Sequence, residues 1–180
     1  MSRTRIRVAF VEPGPKVIPA KHDTVQLKGT FALAGAPGAF AGIDPSTDGI
    51  RIRVESSFGG EVADFHVPGG VYAGSGTAGW QQKGGGRLWI YTDKTGAING
   101  MRRIVLTDEN DKSPNQVKIK LRAGGGVYGV GLGYVPLRAT VTLGGTSAAD
   151  SGLCGEATFL VEQCSAEGNV YVGREMDCRN

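Results

Sequence analysis

Apolar and polar residues alternate with a period of two along most of the chain, and the 3.6-residue period of a helix is almost absent. The clearest run is GIRIRVES (49–56). There Ile50, Ile52 and Val54 fall on one side, and Arg51, Arg53 and Glu55 on the other. The same pattern predicts strands at 5–11, 24–33, 61–68, 87–93, 101–108, 116–123, 137–145, 155–163 and 169–177, bounded by turn-forming residues. Only AADSGL (148–153) has helical character, enough for one turn. About ten short strands between turn signals predict an all-β chain, an antiparallel sandwich or barrel-like fold, in a single domain over residues 1–180.

The order of features recurs. VQLKGTFALAG…GIDPSTDGIRIRV and VKIKLRAGGG…YVPLRATVTLGG each run from a lysine-bearing strand through a small-residue stretch and a proline to an alternating strand. Val25 then corresponds to Val117, Pro45 to Pro136 and Ile52 to Val141, giving related halves at 24–100 and 116–180. Similar β-patterning arising independently is the other explanation, since few residue types do well in strands.

Composition adds limits. The 180 residues hold 30 glycines, so turns are numerous and strand interiors short. A charged fraction of 21% fits a folded, soluble chain, and no apolar run reaches the roughly 18 residues a membrane-spanning helix needs. A net charge of +3 is small, and no block of like charge marks a nucleic-acid partner. Alternation does set Arg51 and Arg53, and Lys118, Lys120 and Arg122, on single strand faces. Each group is either a solvated face or a basic stripe for an acidic polymer. The start, MSRTRIRVAFVEPGPKVIP, lacks a secretory apolar core, which leaves a cytoplasmic chain or an exported segment without its leader.

Three cysteines lie together near the C-terminal end. Cys164 and Cys178 bracket SAEGNVYVGREMD, read as a hairpin turning at Glu167-Gly168-Asn169, so a Cys164–Cys178 disulfide is the first expectation and Cys154–Cys164 the second. Either bridge implies an oxidising compartment. Zinc is disfavoured, because no CxxC pair is present and His22 and His66 lie far off in sequence.

Two acidic loops are candidate calcium sites. Asp44 and Asp48 flank Pro-Ser-Thr in DPSTDG, and Asp108 and Asp111 lie in TDENDKSPN. A β-turn led by Asp44 and Pro45 is the favoured reading of the first, and a plain polar hairpin loop that of the second. Trp80, Trp89 and Tyr91 are the candidate glycan platform. Trp89 and Tyr91 share a strand face, so they either pave a surface or fill the core. KGGGR (83–87) and AGGGV (123–127) lack the spacing and the following helix of a phosphate loop, and GVYGVGLGYV (126–135) leaves one strand face nearly bare for a close neighbour. With no G-x-S-x-G elbow and only two histidines, the expectation is a chain that is not an enzyme and carries no cofactor beyond calcium.

The stretches VQLKGTFAL, GIDPSTDGIRIRV and FHVPGG resemble an all-β module of bacterial proteins, often secreted or surface-associated. The matching positions are Gly42, Ile43, Asp44, Pro45 and Thr47, then Val67, Pro68 and Gly70. KIKLRAGGG…VPLRATVTLGG…GLCGEATF is similar to how such modules close, while GSGTAGWQQKGGG and the cysteine-bearing tail are additions. The resemblance implies a sandwich in an extracellular or cell-surface setting and carries no catalytic residue. The resulting expectation is a non-catalytic structural or assembly module, partnered by its own copies or another assembly protein. A carbohydrate-binding module is the alternative.

Overall fold

The computed structural model describes residues 4–10, 23–33, 38–58, 60–126, 128, 135–144, 153–169 and 173–179, with the side chains of 10, 166–169 and 173–178 outside that description. The expected features at 11–20, at 148–152 and in most of GVYGVGLGYV lie outside the described residues, as does His22.

Among the described residues twelve strands are formed: β1 (Arg5–Phe10), β2 (Thr24–Ala32), β3 (Ile50–Ser56), β4 (Glu61–Val67), β5 (Gly79–Lys83), β6 (Leu88–Thr92), β7 (Met101–Asp108), β8 (Gln116–Gly124), β9 (Leu137–Leu143), β10 (Cys154–Phe159), β11 (Cys164–Asn169) and β12 (Gly173–Arg179). They build an eight-stranded sheet in the order β11-β12-β1-β2-β8-β7-β6-β5 and a four-stranded sheet in the order β10-β9-β3-β4. Neighbouring strands are antiparallel throughout. The fold is a sandwich and not a closed barrel.

Alternation decides what faces inward. Ile50, Ile52 and Val54 of β3 and Leu137, Ala139, Val141 and Leu143 of β9 are buried, as are Val25 and Leu27 of β2 and Val117, Ile119 and Leu121 of β8. These rows meet between the sheets in one apolar core. Phe31 of β2 reaches across to Gly155 of β10, where any side chain would collide with its ring.

Exchanging every strand with the one six places later leaves both strand orders unchanged. The axis of this exchange passes between β2 and β8 in one sheet and between β3 and β9 in the other. The exchange takes in β1 and β7, which the sequence correspondence at 24–100 and 116–180 omits. Within it, Ile52 and Val141 are direct cross-strand partners.

Several local expectations change. Pro45–Asp48 is a single helical turn capped by Asp44, not a β-turn. Proline suits the first helical position, and the Asp44 carboxylate accepts from the Ser46 N–H at 2.9 Å and the Thr47 hydroxyl at 3.0 Å. The Ser46 carbonyl then accepts from the Gly70 N–H at 2.6 Å, so the two short motifs that carry the resemblance touch each other. Strand β5 replaces an expected loop, because the β6 partner supplies its hydrogen bonds. Gly84, Gly85 and Gly86 all take positive φ in the connecting turn, a conformation that accounts for the KGGGR run. The expected strand at 155–163 stops at Phe159 and becomes a 3-10 turn at Val161–Gln163. Finally, Glu167, Gly168 and Asn169 are not a turn but part of β11, paired with β12.

Candidate functional site

The site is a surface built by register. On the outer face of the large sheet, Lys28 of β2 lies opposite Lys120 of β8, and Lys28 is also opposite Arg5 of β1. Arg5 in turn faces Arg179 of β12. In the next row Arg122 of β8 lies opposite Arg103 of β7 on one side and Gln26 of β2 on the other. Adjacent strands are about 5 Å apart, so these cations are held side by side by the backbone itself. Lys28, Lys120, Arg103 and Arg122 are exposed. Among the described residues, no carboxylate lies within ion-pairing distance of these four. Lys118, one row along, is paired with Glu109 at 3.3 Å.

A β-bulge sharpens one corner. The β7 register shifts between Met101 and Arg103, so consecutive residues Arg102 and Arg103 both point to solvent between buried Met101 and Ile104. Beside them lies an open depression of about 940 Å³ lined by Thr92, Lys94, Arg102, Arg103, Arg122 and Gly125, among others. Its one acidic lining residue among the described residues, Asp93, is buried, and its carboxylate accepts from the Thr95 N–H at 2.7 Å, the Thr95 hydroxyl at 2.6 Å and the Ala97 N–H at 3.0 Å. Burial pushes the Asp93 pKa up, but these hydrogen bonds outweigh it and leave the group below the ordinary aspartate value. The Arg102 guanidinium donates to the Lys94 carbonyl and ties down the same loop. The buried Tyr128 donates to the carbonyl of Asn99, in the same β6–β7 connection. Its pKa is pushed up to about 12, by burial first and by the Asp23 carboxylate second.

The other expected site residues go elsewhere. Trp80, Trp89 and Tyr91 are 0%, 6% and 2% exposed, so the glycan platform is not formed and all three belong to the core. Trp80 stacks at a tilt on Tyr91, with ring centroids 5.3 Å apart, and donates its indole N–H to the Pro68 carbonyl at 3.0 Å. Asp44 has its pKa lowered chiefly by the Ser46 hydroxyl, and Asp48 is exposed. Asp108 accepts from the Asn110 N–H at 2.9 Å, and Arg87 bridges Asp108 and Asp111. Among the described residues no three His, Cys, Asp or Glu side chains form a metal-holding group. Cys164 and Cys178 are cross-strand partners in the β11–β12 pair, and Cys154 is a free thiol.

Of the stripe residues named from sequence, Arg51 and Arg53 sit on the small sheet among carboxylates, while Lys120 and Arg122 form the open basic face. Lys28 and Arg103 complete that face. Their strand parity is readable, but which distant strand stands beside each is not. No helix among the described residues is long and apolar enough to cross a membrane. Comparison with family models, curated proteins and solved structures gives no match for the chain.

Proposed function

We propose that this chain is a non-catalytic module of a bacterial surface or extracellular structure, and that it attaches to an acidic polysaccharide through the outer face of its large sheet. The observation that carries this reading is the pair of like-charged cross-strand contacts, Lys28 with Lys120 and Arg122 with Arg103. Like charges placed directly opposite one another destabilise a sheet, and an anionic partner reverses the sign of that term. A broad eight-stranded sheet face suits a glycan chain better than duplex DNA, whose major groove admits a helix or a two-stranded ribbon. Single-stranded nucleic acid is disfavoured too, because Trp80, Trp89 and Tyr91 are buried and offer no stacking surface for bases.

The surface setting draws on the resemblance in the first half of the chain. The Cys164–Cys178 register supports a bridge there and hence an oxidising compartment. Intact mass before and after reduction tests the bridge: a gain of two hydrogen atoms on reduction supports it, and an unchanged mass removes it.

Calorimetric titration with a polyuronate, a sulfated glycan and a neutral glucan tests the main reading. Binding to the acidic polymers is expected to weaken by at least tenfold between about 50 and about 200 mM salt. Lys28→Gln combined with Lys120→Gln should flatten that salt dependence. Equal binding of the neutral glucan, or none of the three, defeats the proposal.

Assembly with further copies is a second reading, favoured by exposed apolar residues at one end of the small sheet. Phe58 follows the end of β3, and Leu160 and Val161 follow the end of β10, with 76%, 44% and 58% exposure. Ser56, Leu137 and Phe159 share one cross-strand row there, which brings the two segments to the same end. Sedimentation across a hundredfold concentration range is expected to show self-association that Phe58→Ser reduces. A monomer throughout argues against it.

A further inference from the structure

We infer that the depression beside the β7 bulge is a discrete oxyanion subsite, taking one sulfate or carboxylate group of the bound glycan. This inference rests on the proposed attachment through the basic face and locates its anchor. Three features separate this corner from the rest of the face. The bulge turns two consecutive arginines outward and sets Arg103 opposite Arg122, with Arg102 as the unpaired bulge residue beside them. The surface is concave here, with Lys94 on its rim. Among the described residues the one carboxylate in its wall, Asp93, accepts three hydrogen bonds from its own loop, through both of its oxygens.

The chemistry follows from the guanidinium group. Its planar fork matches two oxygens of a carboxylate or sulfate, and two forks from adjacent strands hold one anion from two directions. Lys28 and Lys120, by contrast, offer point charges on flexible stems and read only charge. Arg102 supports the site from behind, because its guanidinium is tied to the Lys94 carbonyl. Arg103 and Arg122 are the direct contacts.

The discriminating variants are Arg122→Lys and Arg103→Lys, which keep the charge and remove the fork. Each is expected to lower affinity for the sulfated glycan or the polyuronate about fivefold to tenfold with an unchanged salt slope. Arg51→Lys, on the small sheet, should leave glycan binding unchanged. Whichever polymer shows the larger loss identifies the group in the subsite. Titration of the native protein with inorganic sulfate should shift the amide resonances of Thr92, Lys94 and Gly125, and Arg122→Lys should abolish those shifts. Thermal unfolding checks that the variants fold.

If both lysine variants bind as the native protein does, the subsite is overturned while the basic-face reading stands. If no polymer binds but sulfate still shifts those amides in an Arg122-dependent way, the subsite stands and the polymer reading falls. If the polymers bind and sulfate perturbs no amide near the depression, the subsite is again overturned. Tighter binding to duplex DNA than to either acidic glycan overturns the assignment to a glycan anion.

Discussion

The two outer faces of the sandwich are built from the same residue types and end in opposite electrostatic states. On the small sheet each arginine has a carboxylate within reach: Arg51 with Asp64 at 2.6 Å, Arg53 with Glu55 at 3.1 Å, and Arg138 with both Glu55 and Glu156. The Arg51 guanidinium holds Asp64 below its ordinary pKa, and Arg138 does the same to Glu55. On the large sheet the registers set lysine against lysine and arginine against arginine. Register, more than composition, separates the paired arginines of the small sheet from the open cluster of Lys28, Lys120, Arg103 and Arg122. A net charge of +3 conceals that difference entirely.

The comparison breaks most directly at Arg122. Arg122→Glu would give the large sheet the pairing of the small one, with a new carboxylate opposite Arg103. Affinity for acidic glycans should fall on the order of 100-fold, while the unfolding midpoint rises. A variant that binds as before, titrated calorimetrically at low salt, would remove the functional distinction between the faces.

A smaller but measurable effect lies beneath the depression. Asp93→Ala orphans the Thr95 and Ala97 donors of the β6–β7 loop, and denaturant unfolding should show a loss of about 2–3 kcal/mol. The sign with pH follows from the depressed folded pKa. The Asp93 contribution is present above the unfolded value near about 3.9 and is lost as pH falls through the folded value. Native stability should therefore decline below about pH 4 more steeply than that of Asp93→Ala; parallel curves would show that the carboxylate does not hold this loop.

The mildest test unbalances the small sheet. Glu55→Gln leaves Arg53 and Arg138 with weaker pairing to Glu61 and Glu156 only. The melting temperature should drop by roughly 2–5 °C, and retention on a sulfated-glycan column should increase slightly. Unchanged retention would mean that unpaired arginines on a sheet are not sufficient for binding.

Much of the architecture was legible in the alternation. Ile50, Ile52 and Val54 are inside and Arg51 and Arg53 outside, as their parity requires. What parity cannot supply is the identity of the neighbouring strand. Lys28 and Lys120 are far apart in sequence, so no local pattern announces that they face each other. The bulge at Arg102 is equally silent, since it is set by β7 meeting β8 out of step. Trp89 and Tyr91 were correctly placed on one face, but whether that face was surface or core depended on the second sheet. In DPSTDG, aspartate before proline suits a turn and a helix cap alike, and the contact with Gly70 belongs to the capped form.

The exchange symmetry of the strand order also bears on how quickly this chain finds its fold. At the middle of each sheet stand strands from opposite halves, β2 beside β8 and β3 beside β9. Neither central pairing can form as a local hairpin, and both must wait for a large loop to close, an entropic cost met before any contact in the middle offsets it. The hairpins β5–β6, β6–β7 and β7–β8 can be made early, while the core between the sheets is made last and all at once. Such a chain should fold slowly, on the millisecond-to-second scale or longer, through partly formed sheets, and that is the stage at which it is most exposed to pairing with another copy of itself.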